Sequence, residues 1–295
     1  FQHISYEKEK EHKKKRVEDA FSHIAHINIE AETLLSDNKT TCYRNKAQYP
    51  VSFDRQLKIG FFAPRSHRVV DCENCILQPP IFADIVKIFR KFIIKNGITV
   101  YDSEKHTGLL RHIYLRLAEA TGEVMVCAVI NGEDLPHKNE LIEKLTEIPS
   151  VKSIVLNINR DRTNVILGKE CVTVWGNDCI YDVLCGVKVR LSPLSFYQVN
   201  HDMAQQLYEK AAEYACLSGK ETVLDMYCGT GTIGLSMAKK AKRIIGAEIV
   251  PEAVLDAKRN ALENGIENAE FICADAGEAA QELSSRGIKP DVVLL

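Results

Sequence analysis

The sequence predicts an α/β protein in two principal parts, an α+β domain followed by a parallel sheet with helices on both faces. Three observations predict it. Between residues 36 and 188, short alternating runs are bounded by Gly, Asn, Asp and Pro, the pattern of half-buried strands. From about residue 200, apolar runs of strand length alternate regularly with helical patterns, which implies right-handed crossovers and a parallel sheet. Within this second stretch, a glycine-rich turn joins an apolar strand to a helix at Asp225–Gly234.

The elements follow in order. Residues 5–25 read as an amphipathic helix, with Tyr6, Val17, Ala20, Phe21 and Ile24 at helical intervals among charges. Its run Lys13-Lys14-Lys15-Arg16 reads as a solvated face rather than a nucleic-acid contact. This segment, 1–35, is expected to pack on the parallel-sheet domain. In the α+β domain, 36–188, antiparallel strands are expected at Lys58–Ala63, Leu109–Leu117, Glu123–Ile130, Ser153–Asn159, Thr163–Gly168 and Val187–Leu191, with helices at 80–95 and 136–147. The last domain, 189–295, opens with a helix at His201–Cys216. Strands are expected at Thr222–Met226, Arg243–Glu248, Ala269–Ala274 and Asp291–Leu295. Helices are expected at Thr232–Lys240, Pro251–Asn264 and Ala276–Ser285, the second with Pro in its first turn.

Composition narrows the class. Of 295 residues, 45% are apolar and 26% charged, which excludes a disordered or fibrous chain. No run of eighteen apolar residues exists, so no transmembrane helix is expected. The polar, Lys-rich start does not resemble a secretory signal. A cytoplasmic monomer with no membrane partner is the expectation. Residues 1–120 carry 20 Lys/Arg against 15 Asp/Glu, whereas 121–295 carry 18 against 25. That basic bias permits an anionic partner without demanding one. Ten cysteines sit mostly alone in apolar segments, as buried free thiols of a reducing compartment do.

Several motifs bear on chemistry. Gly229, Gly231 and Gly234 satisfy G-x-G-x-x-G, and Glu248 follows Gly229 by 19 positions at the end of the next strand. This spacing fits a dinucleotide such as NAD, because glycines let the backbone approach a ligand and a carboxylate can accept bonds from ribose hydroxyls. Asp225 and the polar Thr230 and Thr232 favour S-adenosylmethionine instead, since the acid can face its cationic end and the cofactor has no pyrophosphate. Asp275 ends the third strand, where an acid can bond an adenine amino group or simply cap the next helix. Ser192–Asn200 holds Phe196, Tyr197, Gln198 and Asn200, suited to stacking on a base and reading its edge, or to a strand end with an Asn helix cap. Tyr43–Pro50, with Arg44 and Lys46, mixes cations, amides and aromatics as single-stranded RNA sites do, and an exposed basic edge strand looks the same. Cys72-x-x-Cys75 lacks a second pair and reads as inert by itself.

In this order the motifs resemble the bacterial S-adenosylmethionine-dependent RNA (uracil-5-)methyltransferases, which modify 23S ribosomal RNA or transfer RNA. The matching segments are Phe1–Tyr6, Tyr43–Val51, Gly108–His112, Thr163–Gly168, Ser192–Asn200, Leu224–Gly234 and Asn260–Asn264. The resemblance leans toward the iron–sulfur ribosomal RNA branch. It implies a Rossmann-like class I methyltransferase domain at 189–295. It implies cofactor contacts from Gln198, Tyr227, Glu248 and Asp275, and Gly229 and Gly231 belong to the same loop. Thr232 stands where some members have a cofactor-contacting Asn. Phe196 and Gln198 are implied to border the target uracil, and Arg44 and Lys46 are candidate RNA contacts. Cys75 matches the lone downstream ligand of a [4Fe–4S] cluster whose other three ligands precede the Phe-Gln-His stretch. The family's catalytic Cys, its Glu base and an Asp-Pro-Pro-Arg-like motif follow the position of Leu295. The chain, which lacks a starting Met, is therefore expected to be an incomplete and inactive piece with no catalytic residue of its own. The implied chemistry is methyl transfer to uridine C5 through a Cys adduct at C6. An NAD-dependent oxidoreductase and a non-catalytic RNA-binding protein are the rival readings.

Overall fold

A computed structural model of the chain describes residues 3–32 and 34–295; Phe1 and Gln2 of the expected Phe-Gln-His motif lie outside them. The chain divides into two compact units, residues 1–41 and 42–295.

The first unit is a helix, α1 (Tyr6–Ala20), that runs into a π-helical turn at Phe21–Ala25. Ser5 caps its start by accepting from the backbone N–H of Lys8. No residue of α1 is buried. Ion pairs between Lys13 and Glu9, and between Lys10 and Glu7, support the exposed helix, as expected of a solvated charged face.

The second unit is built on a seven-stranded sheet of β1 (Lys46–Asp54), β2 (Gln56–Phe62), β3 (Val69–Asp71), β4 (Leu110–Leu117), β5 (Val124–Ile130), β6 (Val151–Ile158) and β7 (Glu170–Gly176). Their order is β3-β2-β1-β4-β5-β6-β7. Helices α2 (Pro80–Asn96) and α3 (Lys138–Thr146) cover one face. Phe82, Ile85, Phe89, Leu141 and Leu145 from these helices meet Ile59, Ile113, Leu115 and Val126 from the strands in the largest core. α2 stops at Gly97, whose φ of 60° only glycine adopts cheaply.

Three sequence expectations need correction here. The strands are not all antiparallel, because α3 is a crossover and brings β6 in parallel to β5. The exposed-edge alternative for Tyr43–Pro50 does not hold: Lys46–Pro50 pairs with β4, and Val51–Asp54 of the same strand with β2. Thr163–Gly168 is a loop. Its carbonyls are taken by side chains rather than by a neighbouring strand: Arg111 donates to Thr163, Asn159 to Val165 and Ile166, and Asn157 to Gly168.

The hairpin β8 (Ile180–Leu184) and β9 (Val187–Leu191) leads into the last part, so position 188, the expected domain edge, falls inside β9. There, α4 (His201–Tyr214), α5 (Thr232–Met237), α6 (Pro251–Glu263) and α7 (Ala276–Ser285) alternate with β10 (Thr222–Met226), β11 (Arg243–Glu248), β12 (Ala269–Cys273) and β13 (Val292–Leu294). The sheet order is β12-β11-β10-β13, with every pairing parallel. The expected α/β class and parallel sheet are as found. A second core joins the hairpin, α4, α5 and α6, and includes Ala118 and Met125 from the seven-stranded sheet region. No helix among the described residues is long and apolar enough to cross a membrane.

Candidate active site

Strand β10 delivers its carboxyl end into the glycine turn. Asp225, in the strand and 2% exposed, accepts a bond from the Gly234 N–H at 2.9 Å. A side chain at Gly234 would place a Cβ 2.9 Å from Ile244 and 3.0 Å from the Asp225 carboxylate, so helix α5 and β10 can approach this closely only with glycine there. Gly231 caps α5 with a φ of 79°, a left-handed conformation that also requires glycine. Burial pushes the Asp225 carboxyl up to about 6.

Glu248, at the end of β11, holds the turn from the other side. One carboxylate oxygen accepts from the Gly229 N–H at 3.0 Å and the other from the Val250 N–H at 3.0 Å. Asn260 on α6 reaches both parts of the site. It donates to the Thr230 carbonyl and accepts from the Arg190 N–H, so the buried amide ties the glycine turn to β9. Asn264, one turn on, brackets Lys188 through its N–H and its carbonyl. In the linear sequence this Asn pair stands out only through the family resemblance. An amide pair at i, i+4 on an otherwise apolar helix face is the signal that could have assigned it.

The segment after β9 is pinned from four directions. Arg116 donates to the carbonyls of Ser192 at 3.1 Å and Ser195 at 2.7 Å. The Ser195 hydroxyl donates to Asp256, which also receives Arg190. Tyr197 donates its phenol to Asp182 at 3.0 Å and is buried, so it is a structural anchor rather than a stacking surface. Asn45 donates from its side chain to the Gln198 carbonyl and from its backbone to the Val199 carbonyl. Asn200 caps α4 by accepting from Met203. Phe196 is left 67% exposed.

These elements enclose a cleft of about 230 Å³ lined by Phe196, Gln198, Asp225, Tyr227, Gly229 and Thr232, with Tyr208 and Leu294 among its other walls. Five of the expected site residues thus meet at one place. Gly231 sits directly behind, as the α5 cap. Glu248 and Asp275 are not in the cleft wall; they stand at the ends of the two adjacent strands. Asp275 caps α7 in a full capping box with Glu278, so the helix-cap alternative weighed for it is realised. Cys228, behind the turn, is buried, and burial together with the charges of Asp225 and Glu248 pushes its thiol up, away from the reactive thiolate.

Arg44 and Lys46 flank Asn45 directly beneath the pinned segment. Burial, then the charges of Arg116 and Arg44, hold the Lys46 ammonium below its usual range. Among the described residues neither Arg44 nor Lys46 has a carboxylate at ion-pair distance. Cys75 has Cys72 for a neighbour; burial and then Cys75 push the Cys72 thiol up. The Cys42 N–H bonds the carbonyl of Ile76 beside them. No group of three or more His, Cys, Asp or Glu that could hold a metal exists among the described residues.

The chain resembles known proteins along its whole length. A family model described as a methyltransferase domain matches residues 217–295. A curated relative from Clostridium tetani, named an uncharacterized RNA methyltransferase, is 44% identical over 296 residues, covering all of this chain and 64% of the relative. One of the same description from Halalkalibacterium halodurans is 43% identical, covering all of this chain and 65% of the relative. The chain therefore spans somewhat under two thirds of these relatives. Among solved structures, the Pyrococcus abyssi tRNA (uracil-54, C5)-methyltransferase in complex with S-adenosyl-L-homocysteine matches with a TM-score of 0.78 and 28% identity, over 93% of this chain and 64% of that one. The fold of the parallel-sheet part is that of a class I methyltransferase.

Proposed function

We propose that this chain is the cofactor- and RNA-binding part of an RNA (uracil-5-)methyltransferase, using S-adenosylmethionine as methyl donor. One observation carries the reading. The Phe196–Gln198 segment and the Asp225–Thr232 turn, far apart in sequence, wall the same cleft at the carboxyl end of a parallel sheet, where ligands of such sheets bind.

The residues present fit the cofactor. Asp225 is a buried carboxylate in the cleft wall, suited to a cationic amino acid end and opposed to a pyrophosphate. The Gly229 N–H, which a dinucleotide phosphate would want, is already given to the Glu248 carboxylate. This argues against the NAD reading. Glu248 keeps lone pairs for ribose hydroxyls, and one Asp275 oxygen is left by the cap for an adenine amino group. Bound S-adenosylmethionine supplies an electrophilic methyl. Phe196 would stack on the flipped target uracil, and Gln198 would read its edge. Arg44 and Lys46, half-buried and without a carboxylate at ion-pair distance among the described residues, lie under that segment as a cationic patch for the adjoining phosphates, while the buried Arg116 is spent on its carbonyls.

Methyl transfer to C5 needs a thiolate that adds to C6, a base that removes the C5 proton and elimination of the thiol. Among these residues the cleft offers only the buried Cys228, so the chain by itself is expected to bind without turnover. The resemblance favours ribosomal over transfer RNA as the substrate of the whole enzyme. The [4Fe–4S] cluster it implies finds only Cys75 and its neighbour Cys72 among the described residues, which do not make a site. Calorimetry tests the cofactor: S-adenosylhomocysteine should bind and NADH should not. Binding of NADH alone would overturn the reading.

A further inference from the structure

A second cleft, of about 570 Å³, opens on the seven-stranded sheet region away from the glycine turn. Its walls include Tyr101, Ser103, His106, Arg111, Arg162 and Thr163. Arg111 lies at one end of β4, and Arg116, under the candidate active site, lies near the other, roughly 17 Å along the strand. The register of β4 against β5 slips between Leu110 and His112, which makes Arg111 the extra residue of a β-bulge. Bulges re-aim side chains and collect beside functional sites.

Arg111 is a buried cation with only a distant carboxylate, that of Asp161, acting on it. Its side chain is buried, 5% exposed, yet no carboxylate is within ion-pair distance among the described residues. It donates to the carbonyls of Asn159, Asp161 and Thr163, and its ring contact is Tyr101 at 4.3 Å. These are neutral partners, its Nε has none, and the Asp161 carboxylate acts on it only from beyond ion-pair distance, too weakly to offset its burial. A buried charge is normally matched by an opposite one. Arg162 adds an exposed guanidinium to the same wall, also with no carboxylate at ion-pair distance among the described residues. The Tyr101 phenol is tied to His106 at 3.0 Å, which fixes that side of the cleft. The loop between Thr163 and Gly168 stays out of the sheet because Arg111, Asn157 and Asn159 take its carbonyls. The arrangement holds a cationic cleft open.

We propose that this cleft binds a backbone phosphate of the RNA substrate, with Arg162 and the Arg111–Tyr101 wall gripping one phosphodiester at a distance from the target base. The source of the phosphate rests on the RNA reading above; the phosphate chemistry rests on the cleft alone. A cleft of this volume admits a whole nucleotide unit. A second grip along β4 would orient a single strand toward the Phe196 segment.

The test uses Arg162→Gln and Arg162→Glu, exposed positions whose change leaves the Arg111 bonds intact. Fluorescence anisotropy with a labelled single-stranded RNA of mixed sequence is read across a salt series, beside calorimetry with S-adenosylhomocysteine and with inorganic phosphate. The expected result is RNA affinity weakened about fivefold by Arg162→Glu at low salt, with a salt slope shallower by about 0.7, while S-adenosylhomocysteine affinity stays unchanged. RNA binding that is unaltered in both variants overturns the site and leaves the RNA reading standing. No RNA binding by the unmodified chain, with phosphate binding that depends on Arg162, overturns RNA as the source. Loss of neither ligand in any variant overturns the proposal entirely.

Discussion

Asn45 donates its side-chain amide to the carbonyl of Gln198 at 3.0 Å, across 153 positions of sequence. Its backbone N–H is given to the next carbonyl, Val199. The basic segment and the segment that would read the base are therefore one structure. Asn45→Ala should leave a carbonyl without its partner and cost about 1–3 kcal/mol. Thermal melts measure the loss, and RNA binding should weaken while the parallel sheet keeps its S-adenosylhomocysteine site. An unchanged melting temperature would show that the clamp contributes nothing.

Arg116 grips the same segment through the carbonyls of Ser192 and Ser195. Arg116→Met removes both bonds from a buried place and should destabilise the chain by about 2–4 kcal/mol. Arg116→Lys should recover little, because an ammonium cannot span two carbonyls as a planar fork does. Denaturant midpoints of the two variants check this; full recovery by lysine would contradict it.

Asp225 predicts a pH dependence with a definite sign. Its carboxyl is raised to about 6 by burial, and its neighbours Tyr208 and Cys228 are both held protonated, the former pushed up to about 12. As pH rises from about 4 to 6, the unfolded chain releases this proton and the folded chain keeps it, so stability falls by about 3 kcal/mol and then levels. Cofactor affinity runs the other way. The ionised acid attracts the cationic end, so S-adenosylhomocysteine should bind up to about tenfold tighter at pH 7 than at pH 5. Calorimetry across that range tests it, and Asp225→Asn should flatten the profile.

Gly234→Ala should force helix α5 from β10, since the added carbon would meet Ile244 and the Asp225 carboxylate at 3.0 Å or less. A cost of about 1–3 kcal/mol and a loss of cofactor affinity are expected. Melting and calorimetry on the same sample would show whether both fall together.

Phe196→Ala separates the two ligands. The ring is exposed and holds nothing up, so stability should change by less than about 0.5 kcal/mol. RNA affinity should fall by about 1–3 kcal/mol if a base stacks there. Equal RNA binding by the variant would remove Phe196 from the substrate site.

Much of this was legible in the linear sequence where the cause is local. The β10 strand, its glycine turn and α5 are a run of neighbouring residues, and the left-handed φ of Gly231 is a demand one residue meets by itself. Phe196 and Gln198 stood out by composition. The strands of the parallel sheet were readable because each is an apolar run between helices. Non-local partners were not. Nothing near Thr163–Gly168 says that Arg111 and two asparagines will take its carbonyls, so an apparent strand became a loop. Nothing near Tyr197 says that its phenol will be spent on Asp182, and Asn260 gains its meaning only from Thr230 and Arg190.

The sequence by itself determined the strand–helix alternation from Thr222 onward, the α/β class and the chemistry available at the glycine turn, because propensity, periodicity and backbone freedom act over a few residues. The tertiary structure alone decided which residues share a cleft. It set Phe196 and Gln198 against Asp225 and Tyr227, gave Asp275 to a helix cap and buried Cys228. It left Arg111 bonded to carbonyls, with no carboxylate at ion-pair distance among the described residues. Those outcomes depend on the burial and the hydrogen-bond partners that distant segments bring, which no stretch of sequence carries within itself.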